Sequence, residues 1–124
     1  MKQQNFEKGR TGEDIAAEYL EKQNYKILQK NWKTKFGEID IITSKNNLLV
    51  FVEVKLKVGE DFGTPEEMIN NFKISQVQST AIAYLQQNRE IEKSYGGYRI
   101  DAVCIVLGQD NQVLRINHYE NLTF

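Results

Sequence analysis

Two charged residues stand where a chain rarely puts them. Residues 48–56 (LLVFVEVKL) are apolar except for Glu53 and Lys55. A run this rich in β-branched and aromatic residues reads as a strand. Residues two apart in a strand share a face, so Glu53 and Lys55 project side by side, together with Leu49 and Phe51. Val50, Val52 and Val54 make an equally apolar opposite face, so both faces are expected to be covered. Charged side chains are almost never buried unless they are paired or bound to a metal.

The preceding segment supplies a partner. In residues 37–42 (GEIDII), Glu38 and Asp40 share one face and Ile39 and Ile41 the other. Asn46-Asn47 reads as a turn. A connection this short makes the two strands antiparallel neighbours, which stands Asp40 beside Glu53. Two adjacent carboxylates raise each other's pKa, and a divalent cation removes the conflict. Magnesium, or manganese in its place, prefers such hard oxygen ligands. An ion held there orients a phosphate and activates a water. Lys55 alongside would stabilise charge developing on phosphorus or position the nucleophile. A structural ion pair is the competing reading of Glu53 and Lys55 taken alone.

These side chains need a frame. Residues 11–24 are predicted to form a helix, with Thr11 as its cap and Asp14 three residues on. Ala16, Ala17 and Leu20 share one face of it. At about 100° per residue Glu13 falls on that same face, its carboxylate aimed at the core from the first turn. Strands are expected over 25–33, 36–44 and 48–56, as a meander. Thr64, Pro65 and Glu67 mark a helix start. Met68, Ile69 and Phe72 then lie on one face, but Ile74, Val77, Ala81 and Leu85 on another. That predicts a short helical turn, a break near Asn70-Asn71, and a longer helix to about residue 89 capped by Asn70. Residues 98–107 read as a strand buried on both faces, and 113–119 as an edge strand. The order αβββαββ implies an α/β fold, a mixed sheet flanked by helices.

Composition narrows the class. The 124 residues suit one domain spanning 1–124, and 40% hydrophobic with 27% charged residues suits a globular one. Cys104 is the only cysteine, which excludes an intrachain disulfide and points to a reducing compartment. A net charge of −1 argues against a protein that coats nucleic acid non-specifically, yet leaves room for a local basic groove. No stretch reaches the roughly 18 apolar residues of a membrane span, and no apolar run follows the first basic residue. A soluble, cytoplasmic protein without a membrane partner is the expectation.

Several other residues could serve a nucleic-acid substrate. Lys30, Lys33, Lys35 and Lys57 flank the proposed site as a phosphate track. Lys73 and Gln76, three apart and off the apolar stripe, could face phosphate as well. Solvated surface is the competing reading for both groups. Arg10 precedes the first helix and is a further phosphate candidate. Trp32 either stacks on a base or packs at a strand end. Asp101 interrupts an apolar strand and could orient Arg99 or Lys73, or simply begin the strand. Cys104 reads as core. Late and lone, His118 is given no metal role.

Asp40, followed thirteen residues on by Glu53-Val54-Lys55, resembles the D…ExK signature of the PD-(D/E)XK nuclease superfamily. GRTGEDIAAEYL (9–20), NWKTKFGEIDII (31–42), FVEVK (51–55), the Lys73 region and YRIDAV (98–103) together resemble the YraN family of small bacterial proteins. That family is similar in layout to archaeal Holliday-junction resolvases, homodimers that gather a helix-one glutamate, a strand aspartate and an ExK strand around magnesium. The resemblance implies a restriction-endonuclease-like fold and a catalytic set of Glu13, Asp40, Glu53 and Lys55. It implies metal ligation by Asp40, Glu53 and the backbone carbonyl of Val54, and a homodimer acting on DNA, with branched structures among its substrates. A nucleic-acid-binding module that keeps the fold and does little chemistry is the alternative.

Overall fold

In a computed structural model, the chain is described over residues 8–122, with side chains from residue 12 onward. Its element order is α1 (Lys8–Lys22), β1 (Lys26–Thr34), β2 (Gly37–Lys45), β3 (Leu48–Val58), a 3-10 turn (Pro65–Met68), α2 (Asn71–Gln87), α3 (Arg89–Lys93), β4 (Gly97–Leu107) and β5 (Val113–Tyr119). The five strands form one mixed sheet in the order β1-β2-β3-β4-β5. β1, β2 and β3 make the expected antiparallel meander, β4 runs parallel to β3, and β5 antiparallel to β4. Parallel neighbours need a long crossover, and the segment carrying the 3-10 turn, α2 and α3 provides it.

Each face of the sheet carries its own core. Ala16, Ala17 and Leu20 of α1 pack with Ile41, Val50, Val52, Val103 and Ile105 on one side. Val77, Ala81, Tyr84 and Leu85 of α2 pack with Ile39, Leu49, Phe51 and Ile100 on the other. This is why β3 and β4 read as continuous apolar runs: helices cover both of their faces. Trp32 belongs to the second core, edge-on to Tyr84 at 5.2 Å, so of its two readings packing is the one realised.

Local signals place the turns. Asn46 and Asn47, both with positive φ (50° and 69°), close the β2–β3 hairpin, a conformation asparagine tolerates better than most residues. The direction change in the apolar stripe is a real break, and α2 begins as expected behind an Asn70 cap whose side-chain oxygen accepts the Lys73 N–H at 2.9 Å. Asn70→Ala is expected to lower stability by about 1 kcal/mol, visible in a thermal melt as a midpoint shift of a few degrees.

Two expectations need correction. The first helix starts at Lys8, not residue 11, so Thr11 lies inside it rather than at its cap. The side chains of Arg10 and Thr11 lie outside the described residues. Ile39 and Ile41 do not share a face either. Ile39 sits under α2 and Ile41 under α1. β2 is paired with β1 on both sides of Asp40, but its pairing with β3 ends at Ile41 opposite Val52. Across from Asp40 on β1, Asn31 has a φ of 56°. The two-residue alternation therefore fails at Asp40, where β2 parts from β3. α3, a single short turn after Asn88, had no signal in the apolar stripe.

Candidate metal centre

The parting of β2 and β3 creates the site. The register would set Asp40 opposite Glu53, one residue beyond the last pair. With the strands splayed, the Val54 N–H loses its ladder partner and donates instead to the Asp40 carboxylate, at 2.8 Å. A strand residue presents its N–H and C=O to the same edge, so the Val54 carbonyl faces the same gap. α1 closes it from one side. Gly12 lies against β3, and a Cβ there would stand 3.3 Å from Leu56. This close approach brings Glu13 over the end of the strand. From the other face, the first turn of α2 brings in Lys73.

The result is an open pocket of about 340 Å³ whose walls include Glu13, Glu38, Asp40, Glu53, Lys55 and Lys73. Carboxylate oxygens of Glu13, Glu38 and Asp40 all lie within 4.8 Å of one another. Glu38, expected on the same strand face as Asp40, stands in this cluster. Glu53 is 5% exposed. One of its oxygens, Oε2, lies 3.4 Å from both the Lys55 and the Lys73 ammonium groups. The other, Oε1, is buried and accepts no hydrogen bond within the protein. A buried carboxylate oxygen without a donor is costly.

The field of the cluster falls on Asp40. Burial, then the charge of Glu53, push its carboxyl up to about 7, against the Val54 hydrogen bond; Glu13 and Glu38 add to the rise. Four carboxylates and two lysines converge here, and the walls offer no thiol or imidazole. Hard oxygen donors of this kind suit magnesium, manganese or calcium rather than zinc or copper. A buried, donorless oxygen and a carboxylate held part-protonated are what such a cation would relieve.

The remaining candidates divide. Lys73 is in the site. Gln76 is not among its wall residues; it packs beside Gly37 at the start of β2. Lys33 and Lys35 are exposed on β1 and the β1–β2 turn, and half-buried Lys57 lies two residues past Lys55. Lys30 is not a wall residue either; its ammonium lies 3.6 Å from Asp14 on α1.

On the α1 side of the sheet lies a second polar network. Asp101 is fully buried, opposite Val52 in the β3–β4 register. It takes bonds from Arg99 (3.0 and 3.2 Å) and the Asn121 amide (3.0 Å), and lies 2.8 Å from His118 Nε2. Arg99 also donates to the Tyr25 hydroxyl at 2.6 Å. Of the two basic residues it could orient, Asp101 holds Arg99. Burial pushes its carboxyl up, but the bonds from His118, Arg99 and the Asn121 amide together outweigh this and leave it below its ordinary value.

Residues 12–105 match the family described as Uncharacterised protein family UPF0102. The chain belongs to the UPF0102 family. A UPF0102 protein of Sulfurihydrogenibium sp. (strain YO3AOP1) is 41% identical over 115 residues, covering 93% of this chain and 92% of the relative. One from Pelotomaculum thermopropionicum is 37% identical over 113 residues, 91% and 92% of the two chains. One from Flavobacterium johnsoniae is 42% identical over 99 residues, 80% of each. The match contains every residue of the acidic pocket, from Glu13 to Lys73, so the pocket belongs to the shared part of the UPF0102 chain. No helix among the described residues of this UPF0102 protein is long and apolar enough to cross a membrane.

Proposed function

We propose that this UPF0102 protein is a cytoplasmic, magnesium- or manganese-dependent nuclease of the PD-(D/E)XK superfamily, hydrolysing phosphodiester bonds in DNA. One observation carries the reading: Glu53, which holds a buried, donorless oxygen, lines a pocket shared with Asp40, Glu13 and Glu38, with Lys55 beside it. Asp40, Glu53 and the Val54 carbonyl would hold the ion, with Glu13 and Glu38 facing it. When bound, the ion supplies charge neutralisation and an acidified water. The chain's own residues do the rest. The Val54 N–H fixes the rotamer of Asp40. Lys73 and Lys55 hold Oε2 of Glu53 from two sides, which leaves Oε1 for the ion. Lys55, 23% exposed, also reaches solvent, where it can meet the developing negative charge on phosphorus as water adds and the leaving oxygen departs. Lys33, Lys35 and Lys57 lead phosphates toward the pocket.

The test separates binding from chemistry. With manganese, the protein is expected to cleave DNA from a panel of linear, flapped and four-way substrates. Lys55→Met is expected to lower the rate by about 100-fold or more while calorimetric manganese binding persists. Cleavage by the variant at the parental rate, or no metal-stimulated cleavage of any substrate, would reject the reading. Metal and DNA binding without turnover would identify a binding module that keeps a nuclease fold.

A further inference from the structure

The end of the sheet that holds the pocket carries three exposed rings. Phe36, Phe62 and Phe72 are 61%, 96% and 78% exposed, and they come from the β1–β2 turn, the loop after β3 and the first turn of α2. All three segments meet at one end of the sheet. β2 begins where β3 ends, because the two run antiparallel with Ile41 opposite Val52. Gly37, next to Phe36, abuts α2, where a Cβ would lie 3.4 Å from the Gln76 side chain. Gln76 is one helical turn along from Phe72. Phe62 shares a groove with Leu56 and Lys57, and Leu56 is also a wall of the acidic pocket. Met68, 43% exposed, is another wall of that pocket. One exposed apolar residue calls for no explanation. Three bare aromatic rings at the end of the sheet that carries the charged pocket, with an exposed methionine in the pocket's own wall, do.

Lysines alternate with these rings. Lys35 precedes Phe36, its ammonium 5.3 Å from the ring centre. Lys57 lines the Phe62 groove, and Lys73 follows Phe72 into the pocket. Rings interleaved with cations match a single nucleic-acid strand, whose bases stack on the rings while its phosphates follow the charges. A duplex keeps its base faces stacked on one another and offers none to a side chain without being opened. We propose that this pocket takes its phosphodiester from an unpaired strand, with Phe36, Phe62 and Phe72 stacking on bases next to the phosphate in the pocket. The inference rests on the nuclease reading and names the strand on which it acts.

Fluorescence anisotropy of the full chain tests it, with calcium in place of magnesium. The probes are a labelled thymidine oligonucleotide of about 12 nucleotides, and the same strand paired with its complement. The single strand is expected to bind on the order of tenfold more tightly than the duplex. Phe62→Ala combined with Phe72→Ala should weaken single-strand binding by about tenfold for each ring removed. The melting midpoint should hold, since neither ring is packed in a core. Equal or tighter duplex binding, or an undiminished double variant, overturns the inference. So does a change in the variant's oligomeric mass with strand affinity unaltered, which would give the rings to a second copy of the chain. Manganese calorimetry on the same preparations keeps the two readings apart. Manganese bound without strand preference rejects this inference alone, and no manganese bound rejects the nuclease reading with it.

Discussion

In chelator at about pH 8, Asp40→Asn is expected to melt above the parent protein and to bind no manganese. The parent carries Asp40 with its carboxyl raised to about 7 from an ordinary 3.8, by burial first and then by the charge of Glu53. A group raised in this way contributes stability below its unfolded value and loses it as pH climbs through the folded one. The metal-free protein should therefore weaken between about pH 4 and pH 7 and stay weakened above. One pKa unit corresponds to about 1.4 kcal/mol, so the loss is a few kcal/mol. Asparagine keeps an oxygen to accept the Val54 N–H and carries no charge to titrate, so the variant's stability should be flat over that interval. Manganese narrows this gap: at one hundred times its dissociation constant it stabilises the parent by about 2.7 kcal/mol and leaves the variant unchanged. Urea titrations across pH, with and without manganese, measure all of this. A variant less stable than the parent in chelator would mean that the four carboxylates belong to a stabilising network and are no metal site.

Asp101→Ala should have the opposite character. Removing the carboxylate leaves the Arg99 guanidinium, whose side chain is 19% exposed, with the Tyr25 hydroxyl and an exposed Glu120 carboxylate 3.7 Å away, and takes away the Nε2 partner of His118. Breaking a buried ion pair by deleting one member costs about 3–5 kcal/mol, a large share of a small protein's stability. Asp101→Asn keeps an acceptor and should cost less. The pH dependence runs the other way as well. The Asp101 carboxyl is held below its ordinary value, so its contribution is present above the unfolded pKa and fades as pH falls through the folded one. The metal-free protein is thus squeezed from both sides, by Asp101 in acid and by Asp40 toward neutrality. Guanidinium titration of the two Asp101 variants at neutral pH decides this; a loss below about 1 kcal/mol would place the network among the weak surface pairs.

Much of the acidic pocket was legible because its geometry is local. The period of two on β3 pairs Glu53 with Lys55, the short turn at Asn46-Asn47 brings Asp40 alongside, and the helical period turns Glu13 inward. Asn70 announced the cap that starts α2, and with it the position of Lys73. Glu38 was legible as a neighbour on the face of Asp40, but its approach to Glu13 was not, because it depends on where α1 crosses the sheet. Of the Asp101 network only the Arg99 pair, two residues away on the same strand, was legible; the rest was not, for a different reason. Its hydrogen bonds join residues up to 99 positions apart, as between Tyr19 and His118. Only the parallel β3–β4 register and the return of β5 bring them together. Gln76 and Lys30 show the limit of charge reading: a polar residue off the apolar stripe can as easily serve the fold.

The two open edges of the sheet are not equally guarded. β1 presents Lys26, Lys30 and Lys33 and bends at Asn31, and charge and irregularity along an edge discourage the addition of a foreign strand. β5 offers less. Val113 and Leu114 are 45% and 58% exposed at its start, and Arg115, the one cation of the strand, is drawn off into bonds with Glu60 and Glu66. When concentrated or partly unfolded, this protein should aggregate edge to edge through β5, and a lysine in place of Leu114 should raise the concentration it tolerates.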